Sequence, residues 1–339
     1  QGLGGKPLGS DSPLFGGESG NGKADGHPDP GEQPPKPIPP WDPRADEYAS
    51  EDPSGEIETP EQAEAALAEL RSLLPADEAE RNIDDWGRSE RVISLVEPLL
   101  NFYYRRWFRV ETSGIENVPA GGGALLVSNH SGALPPDGPM IMQAIRNEHS
   151  SPRPLYMLGE HWFKGYPGVS MLANKIGLVP AHRENAQRLL HDEGRLAIVF
   201  PEGQKASRKL YWQRYRLRRF GRGGFVRTAI RARVPIVPVA LIGAEEAMPI
   251  FAHLRLMERL TGLIYFPVTP VFPHFGLAAP LMYMPAKFRI HFMKPIDMTE
   301  YPVETASDPA EIQVIAERIR RTIQIELEEM LQNLSLIHI

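Results

Sequence analysis

The sequence predicts an α/β fold, a mixed sheet flanked by helices. Short apolar runs of strand length alternate with stretches of helical spacing, and several of the helical stretches open on capping signatures. With 339 residues, 42% of them hydrophobic, the chain can bury a sizeable core.

The first 58 residues stand apart from that pattern. Residues 1–58 are acidic and rich in Gly, Pro and Ser, including the run from Pro34 to Pro40, and hold almost no paired apolar positions. Such a segment cannot bury enough surface to offset its ordering entropy, so it is expected to be disordered. Because it begins with Gln1 rather than methionine the chain is expected to be incomplete there, and its start shows no apolar signal-peptide core.

Helices are expected over 59–108. Thr59-Pro60-Glu61-Gln62 combines a threonine cap, a first-turn proline and a capping-box glutamine, and Ala63, Ala66, Leu67, Leu70 and Leu74 follow at helical spacing. A second helix is expected from Ser89 to Phe108, with Val92, Leu95, Val96, Leu99, Leu100, Phe102 and Tyr103 on one side, a candidate membrane-interface anchor. Its end, Tyr103-Tyr104-Arg105-Arg106-Trp107-Phe108, sets aromatic rings beside arginines. That pairing suits either a bilayer interface or a core-packing helix with a basic end.

Strands are expected at Ala124–Ser128, Leu155–Leu158, Gly177–Pro180, Leu196–Phe200, Ile236–Ile242 and Arg289–Met293. A closing helix opens on the capping box Asp308-Pro309-Ala310-Glu311 and keeps Ile312, Ile315, Ile319, Ile323, Leu327 and Met330 in register. Leu334 to Ile339 breaks the register and is expected to lie outside the fold, with no role for His338. The uncharged stretch from Leu260 to Ala286 is long enough to span a bilayer, yet Pro267, Pro270, Pro273, Pro280 and Pro285 would break a spanning helix. It reads as a pocket wall or an interfacial loop.

Chemistry gathers where the strands end. Ser128-Asn129-His130-Ser131-Gly132 follows one apolar run, with Asp137 close behind, and Phe200-Pro201-Glu202-Gly203 closes another. A histidine with an unperturbed pKa near ~6.5 can take a proton from an alcohol at neutral pH, and a carboxylate partner fixes its tautomer. Pro135-Pro136 interrupts any helix between His130 and Asp137, so a loop can fold the carboxylate back. Asp137 also reads as the N-cap of the helical stretch that follows.

Together with Gly177-Leu178-Val179-Pro180-Ala181-His182-Arg183 and Val234-Pro235-Ile236-Val237-Pro238, these blocks fall in an order that resembles the glycerolipid and lysophospholipid acyltransferase family over roughly 108–298. The resemblance implies a glycerolipid acyltransferase-like single domain, here 109–334. It implies His130 as general base, Asp137 as its partner, and an acceptor hydroxyl attacking an acyl thioester directly. Arg183, Glu202 and Gly203 fall on the family's acceptor-binding positions, and Lys205 stands where many members carry arginine. The usual box has four residues between histidine and aspartate; here Ser131 to Pro136 intervene. The family's monoacylglycerol-acyltransferase-like branch shares that longer spacing.

The implied donor is acyl-CoA or acyl carrier protein, used as co-substrate with no bound cofactor. The implied acceptor is a lysophospholipid or an acylglycerol. Rival readings are a lipid hydrolase using the same base on water, and a noncatalytic lipid-binding protein on the same scaffold. The chain lacks cysteine, which excludes disulfides, thiolate metal sites and a cysteine nucleophile. Ser131 adjoins His130 but lies in no Gly-x-Ser-x-Gly elbow, and His182 and His191 are too loosely spaced for a metal pair.

Net charge is −6, yet no acidic residue occurs from Gln204 to Ala244. That stretch carries Arg208, Lys209, Arg214, Arg216, Arg218, Arg219 and Arg222 among others, interleaved with Tyr211, Trp212, Tyr215 and Phe220. It suits anionic headgroups or the phosphates of coenzyme A, and no nucleic-acid motif accompanies it. The expectation is a peripheral or monotopic protein at a membrane surface, on its cytoplasmic face.

Overall fold

In a computed structural model of the chain, the structure describes residues 83–131, 135–159, 167–203, 206, 208–261, 266–271 and 282–337. All lie in the second of two units into which the chain divides, Pro75–Ile339. The expected tail over 1–58 and the helix expected from Thr59 lie outside the described residues.

The first described helix, α1 (Glu90–Phe102), is capped by Ser89, whose side chain accepts from the Val92 amide at 3.4 Å. It continues through one π-helical turn, Tyr103–Trp107. Its expected apolar side is divided between core and surface, with Leu100 and Tyr103 packed on the core. Ile93 and Tyr104 are buried, whereas Leu95, Leu99 and Phe102 are 80%, 52% and 47% exposed. Polar partners decide this: Arg146 grips Glu97 at 3.1 and 3.2 Å, and Asn101 takes hydrogen bonds from Gln143 and Asn147, each at 2.9 Å. Turning the polar stripe inward leaves the apolar ridge outside.

The sheet has seven strands: β1 (Glu111–Ser113), β2 (Ala124–Ser128), β3 (Leu155–Gly159), β4 (Leu178–Pro180), β5 (Leu196–Val199), β6 (Ile236–Ile242) and β7 (Arg289–Phe292), in the spatial order β1-β7-β6-β2-β5-β3-β4. Strands β6, β2, β5, β3 and β4 run parallel, while β7 pairs antiparallel to β6 and parallel to β1. The expected mixed sheet is therefore present, with strand bounds differing by a residue at most. Two features were not expected: β1, whose Glu-Thr-Ser shows no apolar alternation, and a small hairpin of Ala252–His253 with Pro267–Val268. The latter occupies part of the uncharged stretch; 262–265 and 272–281 lie outside the described residues.

Both faces of the sheet are covered, which explains why β2 and β6 read as unbroken apolar runs. One face carries Leu125, Val127, Ala197 and Ile236 against α5 (Gly224–Ala232, numbered after α2–α4 below) and the long closing helix α6 (Pro309–Ile337). The other carries Leu126, Leu155, Ile198 and Val237 against α2 (Asp137–Glu148) and the aromatic turn that ends α1. Two shorter helices, α3 (Pro167–Lys175) and α4 (Arg183–Gln187), flank β4. Asp308 caps α6 as expected, accepting from the Ala310 amide at 2.7 Å, but the helix runs on to Ile337 past the expected break.

Candidate active site

Because β2, β4, β5 and β6 are parallel, the segments that follow them all emerge at one edge of the sheet, where ligands bind in open α/β sheets. These segments carry His130, Arg183, the Phe200–Gly203 turn and Glu245.

His130 is held by its surroundings in every direction but one. Asn129, the residue before it, clamps the end of β2 onto β6: its amide donates to Leu241 O at 2.8 Å and its carbonyl accepts from Leu241 N at 2.9 Å. The ring stacks on Phe200 with centroids 4.4 Å apart. Its Nδ1 lies 2.9 Å from Asp137 Oδ2. An ionised carboxylate only accepts, so Nδ1 carries the proton and Nε2 keeps its lone pair in the neutral ring. The side chain is 17% exposed, enough to be reached by a small group.

Asp137 is fully buried. The N-cap position of α2 is taken by Pro136, and Asp137 is the first helical residue, so the expected cap is corrected: its carboxylate points back to the loop. There it accepts from Ser131 N at 2.9 Å and Ser131 Oγ at 2.6 Å as well as from His130. Pro139 in the first turn removes an amide that would otherwise lack a partner. Gly138 allows close packing, since a Cβ there would meet Met157 Sδ at 2.5 Å.

The second turn approaches from β5. Gly203 N donates to Phe200 O at 2.9 Å and closes a tight turn with Gly203 at φ 57°, in the left-handed region that favours glycine. Glu202 is buried beneath it. Its Oε1 accepts from the His130 amide at 3.4 Å, its Oε2 from the Arg218 amide at 2.7 Å, and Lys209 Nζ lies 3.6 Å away. Lys209, whose side chain is 2% exposed, also meets Glu245 Oε1 at 2.8 Å, forming a buried carboxylate–ammonium–carboxylate row behind the histidine. Burial raises the Glu245 carboxyl above its ordinary range, with Lys209 opposing the shift.

Arg183 is exposed at the start of α4. It shares the edge with His130, but β4 stands three strand spacings from β2, roughly 14 Å across the sheet. Lys205 lies outside the described residues. On the α1 side, Tyr283 packs edge-on against Tyr103 and Phe108, at 5.7 Å from each. Burial pushes its phenol up, and the negative charge of Asp137 adds to the shift.

Sequence reasoning left several of these neighbours without a role. In the sequence Ser131 stands out only as a possible nucleophile, and Phe200 only as part of a block. Lys209 was one cation in a basic run. Glu245 had a signal that went unread: it is the first carboxylate after the acid-free stretch, set between Ala244 and Glu246 in an otherwise apolar context. No cluster of three or more His, Asp or Glu side chains among the described residues could hold a metal ion.

The family model described as Acyltransferase matches residues 109–242. An uncharacterized protein of Mycobacterium tuberculosis is 43% identical over 265 residues, covering 77% of this chain and 72% of that protein. A Mycobacterium leprae protein is 42% identical over 77% of this chain and 70% of its own length. The human "DGAT1/2-independent enzyme synthesizing storage lipids" is 27% identical over 60% of this chain and 58% of that enzyme. A solved structure of the 1-acyl-sn-glycerophosphate (LPA) acyltransferase of Thermotoga maritima aligns with 78% of this chain and 88% of that one, at 18% identity and a TM-score of 0.45.

Proposed function

From the premise that the chain belongs to the Acyltransferase family, we propose that it moves a fatty acyl group from a thioester donor, acyl-CoA or acyl carrier protein, to a hydroxyl of a lysophospholipid or an acylglycerol. The observation that carries this reading is the His130–Asp137 pair, joined at 2.9 Å with the carboxylate buried and the ring partly open. In this mechanism the acceptor hydroxyl gives its proton to His130 Nε2 as its oxygen attacks the thioester carbonyl. The tetrahedral oxyanion then collapses, the C–S bond breaks, and the imidazolium returns the proton to the departing thiolate. Asp137 holds the tautomer and stabilises the imidazolium without itself taking the proton.

Glu202 acts in this reading as a positioning residue, because its oxygens are already occupied by the amides of His130 and Arg218. Gly203 forms the turn that brings it there. Arg183 would engage the acceptor farther from the reacting atoms, and Lys205 is a further acceptor-binding residue as the resemblance implies.

The protein acts in this reading at a membrane surface. No helix among the described residues is long and apolar enough to cross one. The exposed ridge of Leu95, Leu99 and Phe102, followed by exposed Arg105 and Arg106, supports lateral contact with headgroups and acyl chains.

The test is acyl transfer from labelled acyl-CoA to lysophosphatidate, other lysophospholipids, monoacylglycerol and diacylglycerol, with wild type beside His130→Ala. The expected result is a labelled lipid whose formation falls about 10²- to 10⁴-fold in the variant. Free fatty acid alone would replace transfer by hydrolysis. No product from either protein, with an acyl carrier protein donor also tried, would favour a noncatalytic lipid-binding role.

A further inference from the structure

Between the Phe200–Gly203 turn and α5 the chain forms an irregular strap over 214–222. Tyr215, Leu217 and Phe220 turn inward and are buried, while Arg216, Arg218, Arg219 and Arg222 face solvent. Side chains from three distant places grip its backbone. Glu245 accepts from the Tyr215 amide. Gln324 accepts from the Leu217 amide at 2.9 Å and donates to Tyr215 O at 3.1 Å. Glu202 accepts from the Arg218 amide at 2.7 Å. Tyr215 sits at φ 61° with its hydroxyl bound to Glu246 and to the Gly243 amide, so the strap is pinned where it turns.

The pinning sets the arginines beside the chemistry. The carboxylate that takes the Arg218 amide also takes the amide of His130, so only the width of Glu202 separates the two backbones. Neighbouring arginines are neutralised: Arg208 meets Glu258 at 3.0 Å and Arg214 lies 3.5 Å from Glu246. Along the strap they are not. Arg218 donates to the neutral Gln213 at 2.6 Å and Arg219 to the neutral Gln313 at 3.0 Å, and among the described residues no carboxylate pairs with Arg216, Arg218, Arg219 or Arg222. The one carboxylate directly beneath, Glu202, is buried and faces Lys209.

We propose that the strap is a phosphate-binding site, in which Arg216 and Arg218, the exposed residues that alternate with buried Tyr215 and Leu217, receive a phosphate ester of one of the two substrates. The assignment deepens the acyl-transfer reading and rests on it for the identity of those substrates. Guanidinium forks suit phosphate oxygens, and a pinned backbone lowers the cost of holding them in place. Two sources share this chemistry: the nucleotide phosphates of acyl-CoA and the phosphate of a lysophospholipid.

The experiment compares wild type with Arg216→Gln/Arg218→Gln in four assays: acyl-CoA against S-acyl-pantetheine as donor, and lysophosphatidate against monoacylglycerol as acceptor. The expected result is a KM about tenfold higher for one phosphate-bearing substrate, with kcat within about twofold and its phosphate-free counterpart unaffected. A rise confined to acyl-CoA identifies the nucleotide; one confined to lysophosphatidate identifies the headgroup. Arg216→Lys/Arg218→Lys should restore only the part of the loss that charge alone carries, since lysine lacks the fork, and added salt should shrink that part. Unchanged KM values for both phosphate-bearing substrates, in a variant that melts with the wild type, would overturn the proposal. Calorimetric titration of both proteins with CoA and with lysophosphatidate is the arm that does not need turnover. Weaker binding of either ligand by the variant sustains the site even if the wild type transfers no acyl group, and equal binding of both overturns it.

Discussion

At His130 the imidazole is fixed on its stacked face by Phe200 and at Nδ1 by Asp137, which leaves Nε2 as the atom free for proton transfer. Asp137→Asn tests the division of labour within that pair. An amide can present its N–H to Nδ1 and trap the wrong tautomer, so kcat should fall by about 10²- to 10⁴-fold with a much smaller change in acceptor KM. Steady-state kinetics beside a thermal melt provide the check; a lowered melting point with unchanged kcat would leave Asp137 as a structural residue alone. The pair could be anticipated on paper because Pro135-Pro136 forbids the helix that would hold the two apart. Ser131 could not. Its hydroxyl bonds the far oxygen of Asp137 only because the loop folds back, and adjacency to His130 in sequence gives no hint of that.

The elements differ in how much of themselves they announce. Strands β2, β5 and β6 were legible because burial on both faces makes them continuous apolar runs. The edge strand β1 was not, since its pairing with β7 is carried by backbone bonds and by Glu111, held by Lys287 at 2.7 Å and Arg289 at 2.8 Å. Helix α1 was legible in extent and in its apolar positions but not in how they divide, Leu100 and Tyr103 inward and Leu95, Leu99 and Phe102 outward, because α2 meets it with Arg146, Gln143 and Asn147.

The Glu202–Lys209–Glu245 row joins the β5 turn to the end of β6, and pH probes it. A carboxyl whose folded pKa is raised above the ordinary 4.5 lends stability that is complete below that value and lost as pH rises through the folded one. Glu245→Gln stays neutral throughout. Its melting temperature relative to wild type should therefore climb as pH rises from 4 through that window, and a flat difference across pH 4 to 8 would refute the linkage.

For the whole molecule, one of the exposed apolar ridges lies on the helix that leads to the site. Leu95, Leu99 and Phe102 on α1 end near Tyr103, which packs on Tyr283, and the charge of Asp137 is felt at that tyrosine. Leu95→Glu/Leu99→Glu should lower co-sedimentation with phosphatidylcholine–phosphatidylglycerol vesicles several-fold while leaving the melting point nearly unchanged, because both positions face solvent. Equal sedimentation would move the contact elsewhere. Order in the sheet also governs order in time. Strand β2 carries the histidine, yet its two neighbours, β5 and β6, are made long after it, and the Asn129 clamp closes on Leu241 at the end of the later one. A ribosome adding about 5–20 residues per second leaves β2 as an apolar strand with both edges open for several seconds. The histidine that is fixed last thus follows one of the first parts of the sheet to be synthesised, and a chain stalled before Ile242 would expose a sticky strand whose Asn129 clamp has not closed.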